Sequence, residues 1–211
     1  FLWFVISACL TLYLLGIIKF PHDQKVKNFS FFRICSIALA FSFTIYLGSG
    51  FSYNNETSTF KPLSLLSGLA PPVGYSILYP NECPNNLDCF KDLKTGIEYA
   101  KKVNKPILLD FTGFACVNCR KMEEHVWPLS SVDKVIRNEY VLISLYVDDK
   151  KYLPKNEQIL VERSIGDGFR KLKNYGHKWA HFQTEFFQTN SQPYYVLLSP
   201  DGKEILSSPV G

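Results

Sequence analysis

Cys116 and Cys119, in the run Phe114-Ala115-Cys116-Val117-Asn118-Cys119-Arg120, are the two residues whose type and spacing most directly imply chemistry. On a helix they stand one turn apart, so the two sulfurs can reach each other, and thiol-disulfide exchange is the reaction this spacing serves. Cys116 falls where the helix opens, and there unpaired N–H groups and the helix dipole favour a thiolate. Haem attachment needs His directly after the second cysteine, and Arg120 occupies that position. A structural zinc site needs two more ligands at close spacing, and no second cysteine pair follows. A soft-metal module, with Met122 or His125 joining the two thiols, is the competing chemistry. Val117 and Asn118 supply no cation that would hold the thiolate as strong oxidants do, which favours a reductant. Arg120 and Lys121 lie nearby but can point to solvent.

A dithiol of this kind needs a strand to deliver it and a helix to carry it. Residues 107–111 form the apolar run of a buried central strand, and the redox helix is expected from Cys116 to about Trp127, where Pro128 stops it. Ahead of the strand, Asp88 is a plausible N-cap for a helix with Phe90, Leu93, Ile97 and Ala100 on one face. After the redox helix come a short helix over 131–138, capped by Ser130 or Ser131, and a second buried strand over 140–147. Residues 148–176 are charged and poorly periodic, a surface insertion with a possible hairpin from 159–163 and 169–172 around Gly166-Asp167-Gly168. A helix over 178–187, then Pro193, a strand over 194–198 and a hairpin partner over 203–206 complete the order.

The N-terminal part is of a different kind. Residues 1–18 carry no charge, and 34–53 form a second uncharged run; each is about long enough to cross a bilayer at ~1.5 Å per residue. Two transmembrane helices are therefore expected within residues 1–50. The loop between them holds Lys19, Lys25 and Lys27 against Asp23 alone, a cytoplasmic signal, which carries everything after the second span outward. Cys9 and Cys35 fall in the apolar runs, where cysteine commonly serves as a small apolar residue. With no Met and no basic leader before Phe1, a cleaved signal peptide fits poorly and a longer polypeptide is expected.

Residues 51–86, with Pro62, Pro71, Pro72, Pro80 and Pro84, have the composition of a linker. Asn55-Glu56-Thr57 matches a glycosylation acceptor, a pattern frequent by chance. Cys83 and Cys89 either close a small structural disulfide or remain two thiols. The formal charge of +4 is mild and no basic block is interleaved with aromatics, so no nucleic-acid partner is expected.

The order helix, strand, Cys-x-x-Cys helix, strand, helix, Pro, strand pair resembles the thioredoxin fold, an α/β architecture with a central mixed sheet flanked by helices. With the two membrane runs added, Leu109-Asp110-Phe111-Thr112-Gly113-Phe114-Ala115-Cys116-Val117-Asn118-Cys119-Arg120-Lys121-Met122-Glu123 and Gln192-Pro193-Tyr194-Tyr195-Val196 are similar to the C-terminal part of the DsbD family of membrane thiol-disulfide interchange proteins. That resemblance implies a thioredoxin-like domain over 87–211 in the periplasm of a bacterium and joined to a multi-pass inner-membrane domain; because a sheet of this kind usually needs a helix covering its last strands, C-terminal truncation is also expected. The resemblance implies a protein-disulfide reductase with no bound cofactor and no metal. Electrons would come ultimately from cytosolic thioredoxin through the membrane domain and pass to periplasmic thiol-disulfide proteins and cytochrome c maturation factors.

Residue by residue, the resemblance makes Cys116 the nucleophile and Cys119 the resolving thiol of a redox-active disulfide. It makes Asp110 the buried acid, with a strand-end cap as the plainer reading. Glu123 becomes a second acid near the cysteines, or else a solvated helix residue. It aligns Pro193 with the fold's cis-proline beside the site; otherwise Pro193 simply starts a strand. Phe114 stands where the family often has Trp, and Thr112 and Gly113 acquire no separate role. A periplasmic disulfide oxidase or isomerase remains the alternative within the same chemistry.

Overall fold

The computed structural model describes residues 1–24, 26, 28–54, 59–66, 83–163, 166 and 168–211. They fall into two units, Phe1–Leu65 and Leu66–Gly211. The Asn55-Glu56-Thr57 acceptor, Lys25, Lys27, Asp167 and most of the expected linker lie outside the described residues.

The first unit is a pair of helices, α1 (Leu2–Leu14) and α2 (Phe31–Ser49), followed by the short antiparallel pair β1 (Tyr53–Asn54) and β2 (Thr59–Phe60). Small polar side chains join the helices: the Ser7 and Thr44 hydroxyls lie 2.8 Å apart, and Ser7 also donates to the Ala40 carbonyl at 3.3 Å. Among the described residues one helix, α2 with 19 residues, is long and apolar enough to cross a membrane. The other apolar helix, α1, has 13 residues, about 20 Å of helix against a hydrocarbon core of about 30 Å. The stop is local. Gly16 takes a positive φ of 77°, and Arg33 donates its Nε–H to the Leu14 carbonyl at 2.8 Å, satisfying an acceptor at the helix end.

The second unit is built on a four-stranded sheet in the order β3 (Cys89–Phe90), β5 (Val141–Tyr146), β4 (Ile107–Thr112), β8 (Tyr194–Leu198). The first three strands are parallel and β8 runs antiparallel to β4, so the sheet is mixed. Bridges from Leu198 to Ile205 and from Tyr195 to Val210 extend it at the β8 edge, where the sequence expects a hairpin partner. Helices α3 (Leu93–Val103) and α6 (Tyr175–Phe187) contribute Ala100 and Trp179 to a core with Ile107, Leu109, Phe111, Ile143, Leu145 and Val196. Trp127 and Ile136 of the α4–α5 segment pack with Leu142 and Leu87 in a second cluster; α4 is Val117–His125 and α5 is Ser130–Glu139. β5 is buried at every position, as a continuous apolar run predicts for a strand covered on both faces.

Helix α3 starts later than its apolar spacing suggests. Cys89 and Phe90 pair with Leu142 and Ile143 as strand β3, and the N-cap is Asp92, whose carboxylate accepts the Thr95 N–H at 3.1 Å. Gly96 lets α3 press on the sheet, since a Cβ there would lie 2.4 Å from Ile143 Cδ1. Helix α4 ends at His125, short of Trp127. In α5 the N-cap is Leu129, with Ser130 already helical. The expected hairpin in the insertion is present as the antiparallel pair β6 (Leu160–Glu162) and β7 (Phe169–Lys171). Helix α6 begins at Tyr175, three residues early, because the Asn174 side chain accepts the His177 N–H at 2.8 Å and caps it there.

Candidate active site

Strand β4 ends at Thr112, the chain turns through Gly113, Phe114 and Ala115, and Cys116 becomes the N-cap of α4. The Cys116 and Cys119 sulfurs are joined in a disulfide, and Cys116 Sγ accepts the Cys119 N–H at 3.1 Å. The two thiols are unequal: Cys116 is half-buried, whereas Cys119 is 1% exposed. One sulfur can meet a partner and the other can react only inside the protein. Pro193 follows a cis peptide bond and precedes β8, whose Tyr194 is opposite Phe111. It therefore lies at the end of the sheet from which the Cys116 loop departs.

Beneath the loop are charges that the sequence places differently. Arg120, expected to be able to reach solvent, is 4% exposed and forms a two-pronged ion pair with Glu123, which is 5% exposed. Arg120 also donates through Nη2 to Thr112 Oγ1 at 3.3 Å and to the Gly113 carbonyl at 3.4 Å. The first turn of α4 is thereby tied to the end of β4. The correction has a physical cause: an arginine at this helix position faces the sheet, and only a buried carboxylate makes that burial tolerable. The solvated alternative for Glu123 falls with it. Thr112, without a role in the sequence, is an acceptor for Arg120.

Asp110 is buried in β4, and among the described residues its Oδ1 has no hydrogen-bond partner. Burial pushes its carboxyl up from 3.8 to about 7, with the Ser144 hydroxyl and the Arg120 guanidinium opposing more weakly. Burial also raises Glu123, with Arg120 the main opposing influence. Burial pushes the Tyr146 and Tyr195 phenols upward as well, with the nearby acids adding to it. The cluster thus holds two carboxyls whose hold on a proton burial raises toward neutrality, Asp110 to about 7 and Glu123, in its ion pair with Arg120, to about 8.

A proton held more tightly in the folded state than in the unfolded chain stabilises the fold on the acid side. Below 3.8 Asp110 is protonated in both states; between 3.8 and about 7 only the folded state keeps the proton, so stability falls as pH rises. Chemical denaturation of the oxidised chain should show up to about 1.4 kcal/mol lost per pH unit from this proton as pH rises from 5 to 7. Asp110→Asn, which mimics the protonated acid, should remove that share of the slope and leave the share of the raised Glu123. An unchanged slope in the variant would remove Asp110 as its source.

Cys83 and Cys89 are also joined in a disulfide. The loop that they close docks on the redox helix: Asn85 donates its side-chain amide to the Glu123 carbonyl at 2.7 Å. Arg137 of α5 holds the same loop, donating to the Asn85 and Asn86 carbonyls at 2.7 and 3.0 Å. Cys9 and Cys35 are free thiols, exposed on α1 and α2. Among the described residues no group of three or more His, Cys, Asp and Glu is placed to hold a metal ion.

Asp148 is a site residue that spacing does not reveal. It follows β5 and receives two N–H bonds from the loop before Cys116. Its one sequence signal is position, a carboxylate just past the C-terminal end of a parallel strand, where open α/β sheets collect functional groups. Phe114, in the place often held by Trp, stacks on Tyr146 with ring centroids 4.2 Å apart.

A family model described as a thioredoxin-like domain matches residues 93–210. Among solved structures, a protein titled DsbH oxidoreductase is 18% identical over 59% of this chain and 72% of its own, with a TM-score of 0.42. A thioredoxin from Thermus thermophilus is 16% identical over 59% of this chain and 72% of its own, with a TM-score of 0.38. A disulphide isomerase from Xylella fastidiosa Temecula1 is 14% identical over 66% of this chain and 80% of its own, with a TM-score of 0.39. No curated protein matches the chain.

Proposed function

The chain belongs to the thioredoxin-like domain family, and from that premise we propose that it is a membrane-anchored protein-disulfide reductase working by thiol-disulfide exchange at Cys116 and Cys119. The observation that carries the reading is the inequality of the pair, a half-buried Cys116 capping α4 and bonded to a fully buried Cys119. In the reduced protein the Cys116 thiolate attacks one sulfur of a client disulfide, and the other client sulfur leaves as a thiolate. Cys119 then loses its proton and attacks Cys116 Sγ, which expels the second client thiolate. Two electrons and two protons pass to the client, and the disulfide of the chain reforms.

Asp110 is the carboxyl suited to take the Cys119 proton, since its affinity for a proton lies near neutrality. Glu123 is held by Arg120 in a pair without net charge. The Arg120 charge is neutralised within that pair, so it offers Cys116 little of the stabilisation that marks strong oxidants. This supports electron donation over oxidation or isomerisation. The apolar helix α2 supports attachment to a membrane. The resemblance to the DsbD family supports a bacterial inner membrane with the domain in the periplasm. It also supports electrons arriving through a membrane domain of the same polypeptide and clients among periplasmic thiol-disulfide proteins and cytochrome c maturation factors. The reaction as written needs no cofactor beyond the dithiol.

The test is a trap. In cells making the chain with Cys119→Ser, mixed disulfides to client proteins are expected to accumulate and to be identifiable by mass spectrometry. The measured reduction potential is expected near that of thioredoxin, about −270 mV, and far from the ~−120 mV of a strong periplasmic oxidant. An oxidant-like potential would reverse the direction. No trapped client together with stoichiometric copper or zinc would favour the metal module instead.

A further inference from the structure

The loop that delivers Cys116 is gripped by a side chain from the end of the neighbouring strand. Asp148 turns its carboxylate onto that loop, where Oδ1 accepts the Phe114 N–H and Oδ2 accepts the Ala115 N–H, each at 2.8 Å. The glycine beside them makes room for it. A Cβ on Gly113 would stand 3.1 Å from Asp148 Oδ2 and 3.2 Å from Oδ1, closer than side chains ordinarily approach. From below, Arg120 holds the Gly113 carbonyl and the Thr112 hydroxyl. The loop is therefore fixed by charges of opposite sign, one on its N–H groups and one on its oxygens.

Resting on the exchange reading and deepening it, we propose that Asp148 is a positioning residue that fixes the Cys116 loop and keeps the Cys116 thiol weakly acidic. The unpaired N–H groups of a helix's first turn stabilise a thiolate at its N-terminus, and N–H groups of the loop leading into it can add to them when free. Here the Cys119 N–H is the first-turn donor that Cys116 Sγ receives, while the two loop N–H groups just ahead of Cys116 are taken by Asp148. A carboxylate bonded to the N–H of Ala115, the residue before the nucleophile, adds repulsion against a thiolate. A less stabilised thiolate makes the dithiol form less stable relative to the disulfide, which lowers the potential and suits a donor of electrons. The other charges near the loop do not cancel this one. Arg120 and Glu123 pair with each other, Asp110 is buried in β4, and Asp149 accepts the Lys151 N–H. Lys91 lies over the Tyr146 ring, 5.5 Å from its centroid, and Lys121 and Glu124 are of opposite sign on α4.

The test uses the full chain, reduced, in detergent micelles. Cys116 alkylation by iodoacetamide is followed against pH in the wild type, Asp148→Asn and Gly113→Ala, together with the equilibrium of each with glutathione. Both variants are expected to shift the alkylation profile to lower pH, with about tenfold faster reaction near pH 6. The glutathione equilibrium should move about tenfold toward the dithiol, equivalent to about 30 mV. A merely structural role would slow the reaction at every pH and leave the profile in place, and that result in a folded Asp148→Asn would overturn the proposal. Amide hydrogen exchange in the wild type needs no variant to fold: protected Phe114 and Ala115 amides support the grip, and freely exchanging ones refute it. A wild type that does not equilibrate with glutathione at all would instead overturn the exchange reading itself.

Discussion

The chain carrying Cys116→Ser is expected to exchange with a model disulfide such as that of insulin at least about a thousandfold more slowly than the wild type. The size of the effect follows from access. Cys119 is 1% exposed and sits behind the first turn of α4, so it cannot take over as the attacking sulfur. A serine at 116 preserves the cap geometry but presents an alcohol that stays protonated at neutral pH. Cys119→Ser should behave differently: the first attack proceeds and stalls at the mixed disulfide, because no thiol is left to resolve it. Turnover is lost in both variants, but only Cys119→Ser accumulates the intermediate. Equal trapping by the two variants would show that the assignment of nucleophile and resolving thiol is wrong.

Arg120→Met should be the most damaging substitution to stability in the site. It leaves Glu123 buried without its counter-charge, and breaking one side of a buried ion pair costs about 3–5 kcal/mol. It also strips the Thr112 hydroxyl and the Gly113 carbonyl of a donor. The loss should be greatest near pH 8 and smaller at pH 5, where an unpaired Glu123 can take a proton in place of its partner. The double variant Arg120→Met, Glu123→Leu should recover most of the loss, since apolar side chains of similar volume replace a buried pair at little cost. Urea denaturation followed by near-ultraviolet circular dichroism measures all three proteins. A loss below about 1 kcal/mol at pH 8 would place the pair in water, as for surface ion pairs.

The chemistry and the order of elements were legible because their signals are local. An apolar run ending in Cys-x-x-Cys specifies a buried strand feeding a redox helix, and 107–111 and 116–119 do form one. The strand at 194–198 and its antiparallel extension follow from turn residues at Ser199, Pro200, Asp201 and Gly202. Element ends were less legible, since caps compete: Asp92 outcompetes Asp88 once Cys89 and Phe90 pair with β5, and Gly16 with Arg33 ends α1 early.

What the sequence by itself determined is therefore a dithiol on a thioredoxin-like α/β scaffold. What only the tertiary structure decided is its electrostatic setting. Arg120 looks like any surface cation until Glu123 and the end of β4 enclose it. Gly113 has no visible purpose until Asp148, distant in sequence, is brought against it, and the Cys83–Cys89 loop gains its contact with Glu123 only by folding back onto α4. Burial and charge pairing depend on groups that meet through the sheet register, and no window of neighbouring residues contains them.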